Sequence, residues 1–183
     1  LTEMIIEKGW RVRVLDNLLY EKDSLTQFSK MDGFSFVKGD ICNLHTQVES
    51  IKGIDCVVFL AEIVGDPACE YLPQTALKTN YLAVNSMANL CAHTNINRFI
   101  YTSSCSVYGA SQATDDLLNE NSELSPVSHY ARMKISSEQA LFNQLNPLFL
   151  PTILRLATVY GHSFRPRYDL VVNAFAKNAF YNK

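Results

Sequence analysis

Segments with the pattern of a β-strand alternate along this chain with segments that have the pattern of an α-helix, and this alternation restricts the fold most. The apolar run at residues 56–61 is continuous, which is typical of a central parallel strand buried on both faces. Other strand patterns occupy residues 11–16, 34–38, 98–103 and 152–156, and helical patterns follow Asn43, Leu72 and Pro126. This order predicts an α/β protein with a Rossmann-like, mostly parallel sheet flanked by helices.

Composition argues against several classes of partner. The chain has 183 residues and a formal net charge of −2, so no basic surface for nucleic acid is indicated. No run reaches the roughly 20 apolar residues of a membrane-spanning helix. The five cysteines are odd in number and lack C-x-x-C spacing, which indicates reduced thiols, and we therefore expect a cytoplasmic protein. The four histidines share no spacing with other ligand types, so no metal site is predicted.

A hydroxyl-rich turn and a tyrosine–lysine pair are the candidate catalytic groups. The segment Ser-Ser-Cys-Ser-Val-Tyr-Gly at residues 103–109 follows a predicted strand. Tyr130 and Lys134 are four residues apart in a predicted helix and therefore share one of its faces. A nearby ammonium favours the phenolate of a tyrosine, whose ordinary pKa near 10 makes it a poor base at neutral pH. With a serine opposite, the pair suits proton transfer at a sugar or alcohol hydroxyl during hydride transfer.

Each of these groups also has a purely structural interpretation. On an isolated helix, Tyr130 and Lys134 would be a surface tyrosine and a solvated lysine. The serines of the 103–109 segment would simply form a turn. Asp16, which ends the predicted 11–16 strand, is of a type that is common in turns. The choice between these interpretations depends on the rest of the chain.

In their order along the chain, the motifs resemble those of the extended short-chain dehydrogenases/reductases in the NAD-dependent epimerase/dehydratase family, the sugar-nucleotide enzymes typified by UDP-glucose 4-epimerase. The similarity extends over essentially the whole chain. It is carried by Val-Leu-Asp-Asn-Leu at 14–18, Gly-Asp-Ile at 39–41, Leu-Ala at 60–61, the 101–109 segment, Tyr130-x-x-x-Lys134, and Arg155 with Val-Tyr-Gly at 159–161. This ordered set is much more specific than the tyrosine–lysine pair alone.

The resemblance implies NAD as the cofactor and a nucleotide sugar as the substrate of complete relatives. It assigns Tyr130 as the acid/base, Lys134 to the nicotinamide ribose and to lowering the pKa of that tyrosine, and Ser104 to the substrate proton. The implied cofactor-binding positions are Asp16 with Asn17 for the adenosine ribose, Asp40 and Ile41 for the adenine, and Leu60 and Ala61 for the pyrophosphate and ribose; the implied substrate-binding positions are Ser106, Thr158 and Asn173. An aspartate at residue 16 favours NAD over NADP.

The glycine-rich turn with which the family begins has no counterpart in this chain. Gly9 is the only glycine before Gly33, and residues 1–8 resemble the last turns of a helix that Gly9 ends. We therefore expect a truncated domain whose first central strand is missing, which would leave a void of roughly 9–10 Å in the sheet. The expected remedies are pairing of the 11–16 strand with the 56–61 strand, rearrangement of the N-terminal part, or a homo-oligomer, including a strand- or segment-exchanged dimer.

Two further departures from the family concern the site and the C-terminal part. Phe59 and Glu62 stand where relatives usually carry histidine and a second alanine, and a carboxylate at residue 62 would be unfavourable near a pyrophosphate without a compensating cation. We predict a single domain over residues 1–183, of which 162–183 begin the substrate-binding region. There, Arg165 and Arg167 would face a diphosphate or form a solvated basic loop.

Two functions are therefore expected from the sequence. The first is an NAD-dependent epimerase or dehydratase acting on a nucleotide sugar, with Tyr130 as the acid/base. The second is a truncated, catalytically inactive relative that persists as a folded, self-associating module, because the glycine-rich turn is central to dinucleotide binding. Binding of NAD would distinguish the two.

Overall fold

The computed structural model describes residues 1–20, 23–109, 117–161, 163 and 167–182. Contacts divide the chain into two compact units. The first comprises Leu1–Val14, Leu18–Phe36 and Ala157–Lys183, and the second comprises Leu15–Asn17 and Val37–Leu156. The prediction of a single domain over the whole chain stays a prediction, and each unit is described by itself.

Strands and helices alternate in the order that the sequence predicts. The strands are β1 (Val12–Asp16), β2 (Phe34–Lys38), β3 (Cys56–Phe59), β4 (Arg98–Ser104) and β5 (Leu150–Leu156). The helices are α1 (Thr2–Glu7), α2 (Leu44–Ser50), α3 (Asp66–Tyr71), α4 (Pro73–Leu77), α5 (Ala83–Ala92), α6 (His129–Asn143) and α7 (Val171–Tyr181), with one-turn 3-10 helices at Thr26–Phe28 and Cys105–Tyr108. The predicted α/β class is therefore confirmed.

The second unit is built on a parallel sheet in which β4 lies between β3 and β5. Val57 of β3 is opposite Phe99 of β4, and Phe99 is opposite Pro151 of β5. Because side chains alternate along a strand, Phe99, Tyr101 and Ser103 are buried on one face while Ile100 and Thr102 lie on the other. The sheet therefore has one face that forms the core.

The core lies between this face and helices α5 and α6. Phe59, Phe99 and Phe149 form its aromatic centre, with ring centroids 6.0 Å apart for the first two and 5.9 Å apart for the last two. From α5, Val84, Met87, Ala88 and Cys91 pack against these rings, and Leu141 does so from α6. The apolar residues of both helices recur at helical spacing, which is the pattern expected of helices that cover a sheet.

The first two strands form a separate two-stranded sheet among the described residues. At its start the amide of Val12 donates to the carbonyl of Gly33, and at its end the amide of Gly39 donates to the carbonyl of Asp16. Both strands thus run in the same direction. Helix α1 precedes β1, and Gly9 follows its cap Lys8 with a φ of 79°, the left-handed conformation that favours glycine and that the sequence predicts here.

Two of the helices begin at residues whose side chains cap them. The side chain of Asn43 accepts a hydrogen bond from the amide of Thr46 at the start of α2, and Ser128 accepts one from Ala131 at the start of α6. The helical pattern that follows Leu72 is α4 and α5 joined by a π-helical turn at Lys78–Leu82. This turn adds one residue to the helical repeat and directs Asn80 into the interior, where it is 1 % exposed.

Strand β3 differs from its prediction. Val57 and Phe59 pack into the core, but Cys56 and Val58 on the opposite face are exposed, and β3 is an edge strand of the three-stranded sheet in the part of the chain described. The expectation that β1 closes up against β3 is wrong, because these two strands share no ladder. A continuous apolar run shows that both faces of a strand are suited to burial, but each face is buried only where another element covers it.

No helix within the described ranges combines the length and apolar character needed to cross a membrane.

Replacement of Phe99 tests the position of the core. We expect Phe99→Ala to lower the free energy of unfolding by about 3–5 kcal/mol, because the side chain is fully buried and its loss leaves a cavity between two other rings. The matched control is Phe175→Ala in α7, where the ring is 69 % exposed, and we expect a change within about 0.5 kcal/mol. Urea denaturation followed by circular dichroism measures both, and equal effects would contradict this core.

Gly109 offers a second test, because the turn after β4 passes close to another backbone segment. A Cβ at Gly109 would lie 1.6 Å from the carbonyl oxygen of Ser125, and its φ is 64°. Gly53 has a similar φ of 68° but open space around a Cβ. We expect Gly109→Ala to lower the free energy of unfolding by about 1–3 kcal/mol more than Gly53→Ala, because only the first adds a backbone clash. Similar losses in thermal denaturation would argue against this close approach.

Candidate active site

Helix α6 carries both members of the tyrosine–lysine pair. Tyr130 follows the capping residue Ser128 by two positions, and Lys134 lies one turn further along the same face. Lys134 is only 1 % exposed and Tyr130 is partly buried. The interpretation of the pair as solvated surface residues is therefore wrong, since this face of α6 points into the protein.

The ammonium of Lys134 is held by contacts from two other segments. Its Nζ lies 2.7 Å from Oε2 of Glu62, which follows β3, and it donates to the carbonyl of Thr102 in β4. It also lies 4.8 Å from the ring centroid of Tyr101 and 5.5 Å from that of Tyr130. A buried ammonium with an anion, a carbonyl and aromatic faces around it is well compensated.

Glu62 therefore has the compensating cation that the sequence alone did not identify. Its side chain is 10 % exposed, and Oε1 has no hydrogen-bond partner among the described residues. Burial raises the pKa of Glu62, and the charge of Lys134 opposes that rise. Burial lowers the pKa of Lys134, and the charge of Glu62 opposes that fall. The two groups stabilise each other's charged forms at a distance typical of a charge-assisted hydrogen bond.

The hydroxyl of Tyr130 donates to the same carboxylate, with Oη 3.5 Å from Oε2 of Glu62. Burial raises the pKa of Tyr130, the charge of Glu62 and the neighbouring Cys69 raise it further, and hydrogen bonding with Ser104 lowers it. The sequence predicts a lowered pKa from Lys134. In the structure, desolvation and a carboxylate beside the phenol both disfavour the phenolate. The lowering of this pKa by Lys134 stays a prediction.

Ser104 ends β4 and caps the 3-10 turn that follows it. Its Oγ accepts hydrogen bonds from the amide of Ser106 at 3.2 Å and from the hydroxyl of Ser106 at 2.9 Å. Ser104 and Ser106 thus form the turn, as the structural interpretation predicts, and Ser104 also interacts with Tyr130. Ser103 faces the other way and is buried.

A second buried ion pair lies beside the first, and the sequence analysis did not predict it. Nη2 of Arg155 in β5 lies 2.7 Å from Oε2 of Glu138 in α6, and Ser103 donates to Oε1 of the same carboxylate at 2.5 Å. Arg155 also donates to the hydroxyl of Tyr108 and to the carbonyl of Glu120, both at 3.1 Å. An arginine in an apolar strand is the sequence signal, since its charge requires a buried partner.

The predicted cofactor positions of the second unit all follow the carboxyl ends of strands. Asp16 and Asn17 are exposed at the end of β1, while Asp40 and Ile41 follow β2 and Leu60 and Ala61 follow β3. Oδ1 of Asp40 accepts from the amide of Cys42 at 2.8 Å, and Leu60 is 54 % exposed. An exposed carboxylate at a strand end suits the hydroxyls of a ribose, and ligands of parallel α/β sheets bind at this end.

The predicted substrate positions belong to both units. Ser106 lies in the second unit, whereas Thr158 and Asn173 lie in the first. Thr158 is exposed, and Nδ2 of Asn173 donates to the carbonyl of Arg167 at 3.0 Å. Arg167 itself pairs with Asp169 at 2.5 Å, and Arg165 lies outside the described residues. The binding roles of these residues stay predictions.

Two bacterial proteins are among the relatives with similar sequences. The chain is 29 % identical over 177 residues to the uncharacterized UDP-glucose epimerase YtcB of Bacillus subtilis, covering 94 % of this chain and 50 % of that protein. It is 30 % identical over 186 residues to protein CapI of Staphylococcus aureus, covering 97 % and 54 %. The chain thus spans about half the length of these relatives.

Solved structures support the fold. UDP-glucuronic acid 4-epimerase from Bacillus cereus, in complex with UDP-glucuronic acid and NAD, superposes with a TM-score of 0.81 at 23 % identity, over 99 % of this chain and 59 % of that one. The NAD-dependent NDP-hexosamine 5,6-dehydratase TunA gives a TM-score of 0.78 at 24 % identity, over 97 % and 56 %. These likenesses show a shared Rossmann-like architecture.

A family model covers the whole chain. The description of that model is "NAD dependent epimerase/dehydratase family", and its match extends over residues 1–183. The match agrees with the parallel sheet, with the order of the motifs, and with the tyrosine–lysine pair on α6. The chain therefore belongs to the NAD-dependent epimerase/dehydratase family.

Proposed function

We propose that this chain contributes the cofactor- and proton-handling part of an NAD-dependent enzyme that acts on a nucleotide sugar. The observation that carries the proposal is the placement of Tyr130 and Lys134 on a buried face of α6, beside Ser104 at the carboxyl end of β4. Family membership supplies the reaction class, and the relatives supply the class of substrate.

In this proposal Tyr130 exchanges a proton with a sugar hydroxyl and Ser104 shares that proton. Lys134 supplies the positive charge beside the phenol and binds the nicotinamide ribose. The cofactor, when bound, accepts and returns a hydride. It would be held by Asp16, Asn17, Asp40, Ile41, Leu60 and Ala61, and the nucleotide sugar would be held by Ser106, Thr158 and Asn173.

A catalytically inactive, self-associating module is the second candidate function. The observation that favours it is the outer edge of β3, which has no partner within the described part of the chain. An unpaired edge is a template for pairing with another chain, so a homo-oligomer or a strand-exchanged dimer is expected in this case. Sedimentation that stays monomeric at high protein concentration would contradict self-association.

Binding of NAD distinguishes the two functions. At a concentration of about a hundred times its dissociation constant, we expect NAD to stabilise the native state by about 2.7 kcal/mol, measured by thermal shift and calorimetry. Asp16→Ala is expected to weaken binding, because it removes the proposed partner of the ribose. Asp55→Ala, an exposed aspartate before β3 and thus at the opposite end of a strand, is the matched control and should bind normally. An unchanged melting temperature at millimolar NAD would contradict the enzymatic function.

Tyr130→Phe tests the proton transfer. With NAD present, we expect this variant to convert UDP-glucose or UDP-glucuronic acid about 10²–10⁴-fold more slowly than the wild type, measured by chromatography of the products, while its affinity for NAD changes little. Tyr71→Phe in α3 is the matched control, because that ring is 84 % exposed. Equal turnover in Tyr130→Phe would refute the role of this tyrosine, and bound NAD without any turnover would favour the inactive module.

A further inference from the structure

We propose that Glu62 is a positioning residue: its carboxylate compensates the ammonium of Lys134 and thereby keeps the proton on the hydroxyl of Tyr130. The carboxylate contacts both groups through the same oxygen, Oε2, at 2.7 Å from Nζ of Lys134 and 3.5 Å from Oη of Tyr130. The resemblance to the family does not predict this role, because relatives usually carry an uncharged residue at the corresponding place. The compensation of Lys134 is argued from geometry, and only the catalytic role of Tyr130 rests on the proposed function.

The protein fixes the position of this carboxylate through the next residue along the chain. The amide of Ile63 donates to Oδ1 of Asn80 at 2.9 Å, and Nδ2 of Asn80 donates back to the carbonyl of Ile63 at 2.9 Å. Sγ of Cys69 donates to the same carbonyl at 3.2 Å. Ile63, Asn80 and Cys69 are all buried. These hydrogen bonds fix the backbone next to Glu62, and the ion pair with Lys134 connects its carboxylate to α6.

The neighbouring ion pair leaves Glu62 as the direct counter-ion of Lys134. Glu138, the other carboxylate near this lysine, is bound by Arg155 at 2.7 Å and by Ser103 at 2.5 Å. The charge of Glu138 is thus compensated from β5 and β4. Glu62 has no second cation within the described residues, so its charge acts on Lys134 and on Tyr130.

The other groups that face the phenol are neutral or distant from its oxygen. Burial raises the pKa of Cys69 to about 11, so this thiol is uncharged at neutral pH. Burial also raises the pKa of Tyr101, which stays a neutral phenol. The titratable and charged groups that act on Tyr130, Lys134 or their direct neighbours are Glu62, Asp66, Cys69, Tyr101, Glu138 and Arg155. Glu62 is the charged group among them that contacts the phenol oxygen.

Burial is the largest cause of the raised pKa of Tyr130, and the sign of the contribution from Glu62 follows from these charges. An ammonium alone would favour the phenolate, and a carboxylate that touches both groups cancels that preference. The site then holds a proton-bearing Tyr130 beside an ion pair of no net charge. On the proposed function, Tyr130 starts as an acid and loses its proton only when further positive charge lies beside it.

Glu62→Gln separates this role from a purely structural one. The amide keeps the shape of the side chain and an oxygen that can accept from Lys134, but it removes the charge. A structural ion pair and a positioning residue both predict some loss of stability on this change. Only the positioning role predicts that Tyr130 ionises at lower pH.

The experiment is a pH titration of tyrosinate absorbance in the near ultraviolet, without any cofactor. Wild type and Glu62→Gln are each compared with the same protein carrying Tyr130→Phe, so that the difference isolates Tyr130 among the nine tyrosines. Circular dichroism at each pH limits the comparison to folded protein. We expect the midpoint of Tyr130 to fall by about one to three pH units in Glu62→Gln. Where the wild type unfolds before Tyr130 ionises, the pH of unfolding is a lower limit for the midpoint of Tyr130. In the variant, Tyr130 should ionise below that pH.

Glu70→Gln is the matched control, since Glu70 is an exposed glutamate in α3 that should leave Tyr130 unchanged. If Glu62→Gln does not fold, Glu62→Ala carries the residue type usual in relatives and is expected to shift the midpoint in the same direction. Indistinguishable midpoints with and without the carboxylate would overturn the proposal. Because the titration contains no NAD, its failure is independent of any failure of the proposed function.

Discussion

Hydrogen bonds from a buried polar stripe on helix α6 fix the rotation of that helix, and the rest of the site depends on them. Lys134 donates to the carbonyl of Thr102 in β4, and Ser137 donates to the carbonyl of Asn80 at 2.7 Å. Glu138 accepts from Ser103 of β4 and Arg155 of β5. An apolar stripe would tolerate small rotations and slides, whereas each of these bonds is lost if α6 turns. Tyr130, one turn earlier, is therefore held in a fixed direction.

Local features of the sequence predict local features of the fold well. Asn43 caps α2 and Gly9 ends α1 because capping and left-handed geometry depend on a few adjacent residues. The strands of the parallel sheet are also found close to their predicted places, since an apolar run between turn residues defines a strand by itself. The family resemblance rests on the same short segments, and the match over the whole chain confirms it.

Contacts between distant residues account for what the sequence could not predict. Glu62 and Lys134 are far apart in the chain, and neither periodicity nor spacing connects a loop residue to a helix face. Burial and the charge of Glu62 both raise the pKa of Tyr130, because the effect of a lysine on a phenol depends on the other groups around that phenol. The exposure of Val58 in β3 has a similar origin, since burial depends on covering elements that a strand's own sequence does not describe.

The π-helical turn at Lys78–Leu82 holds one residue more than a regular α-helical turn. Asn80 within this turn binds Ile63 through its side chain and Ser137 through its carbonyl. A π-helical turn holds one residue more than an α-helical turn, so deletion of one residue here would leave a regular α-helix whose flanking parts keep nearly their present rotation. The core face of α5 would stay in place, whereas the widened turn from which Asn80 reaches Ile63 and Ser137 would be lost.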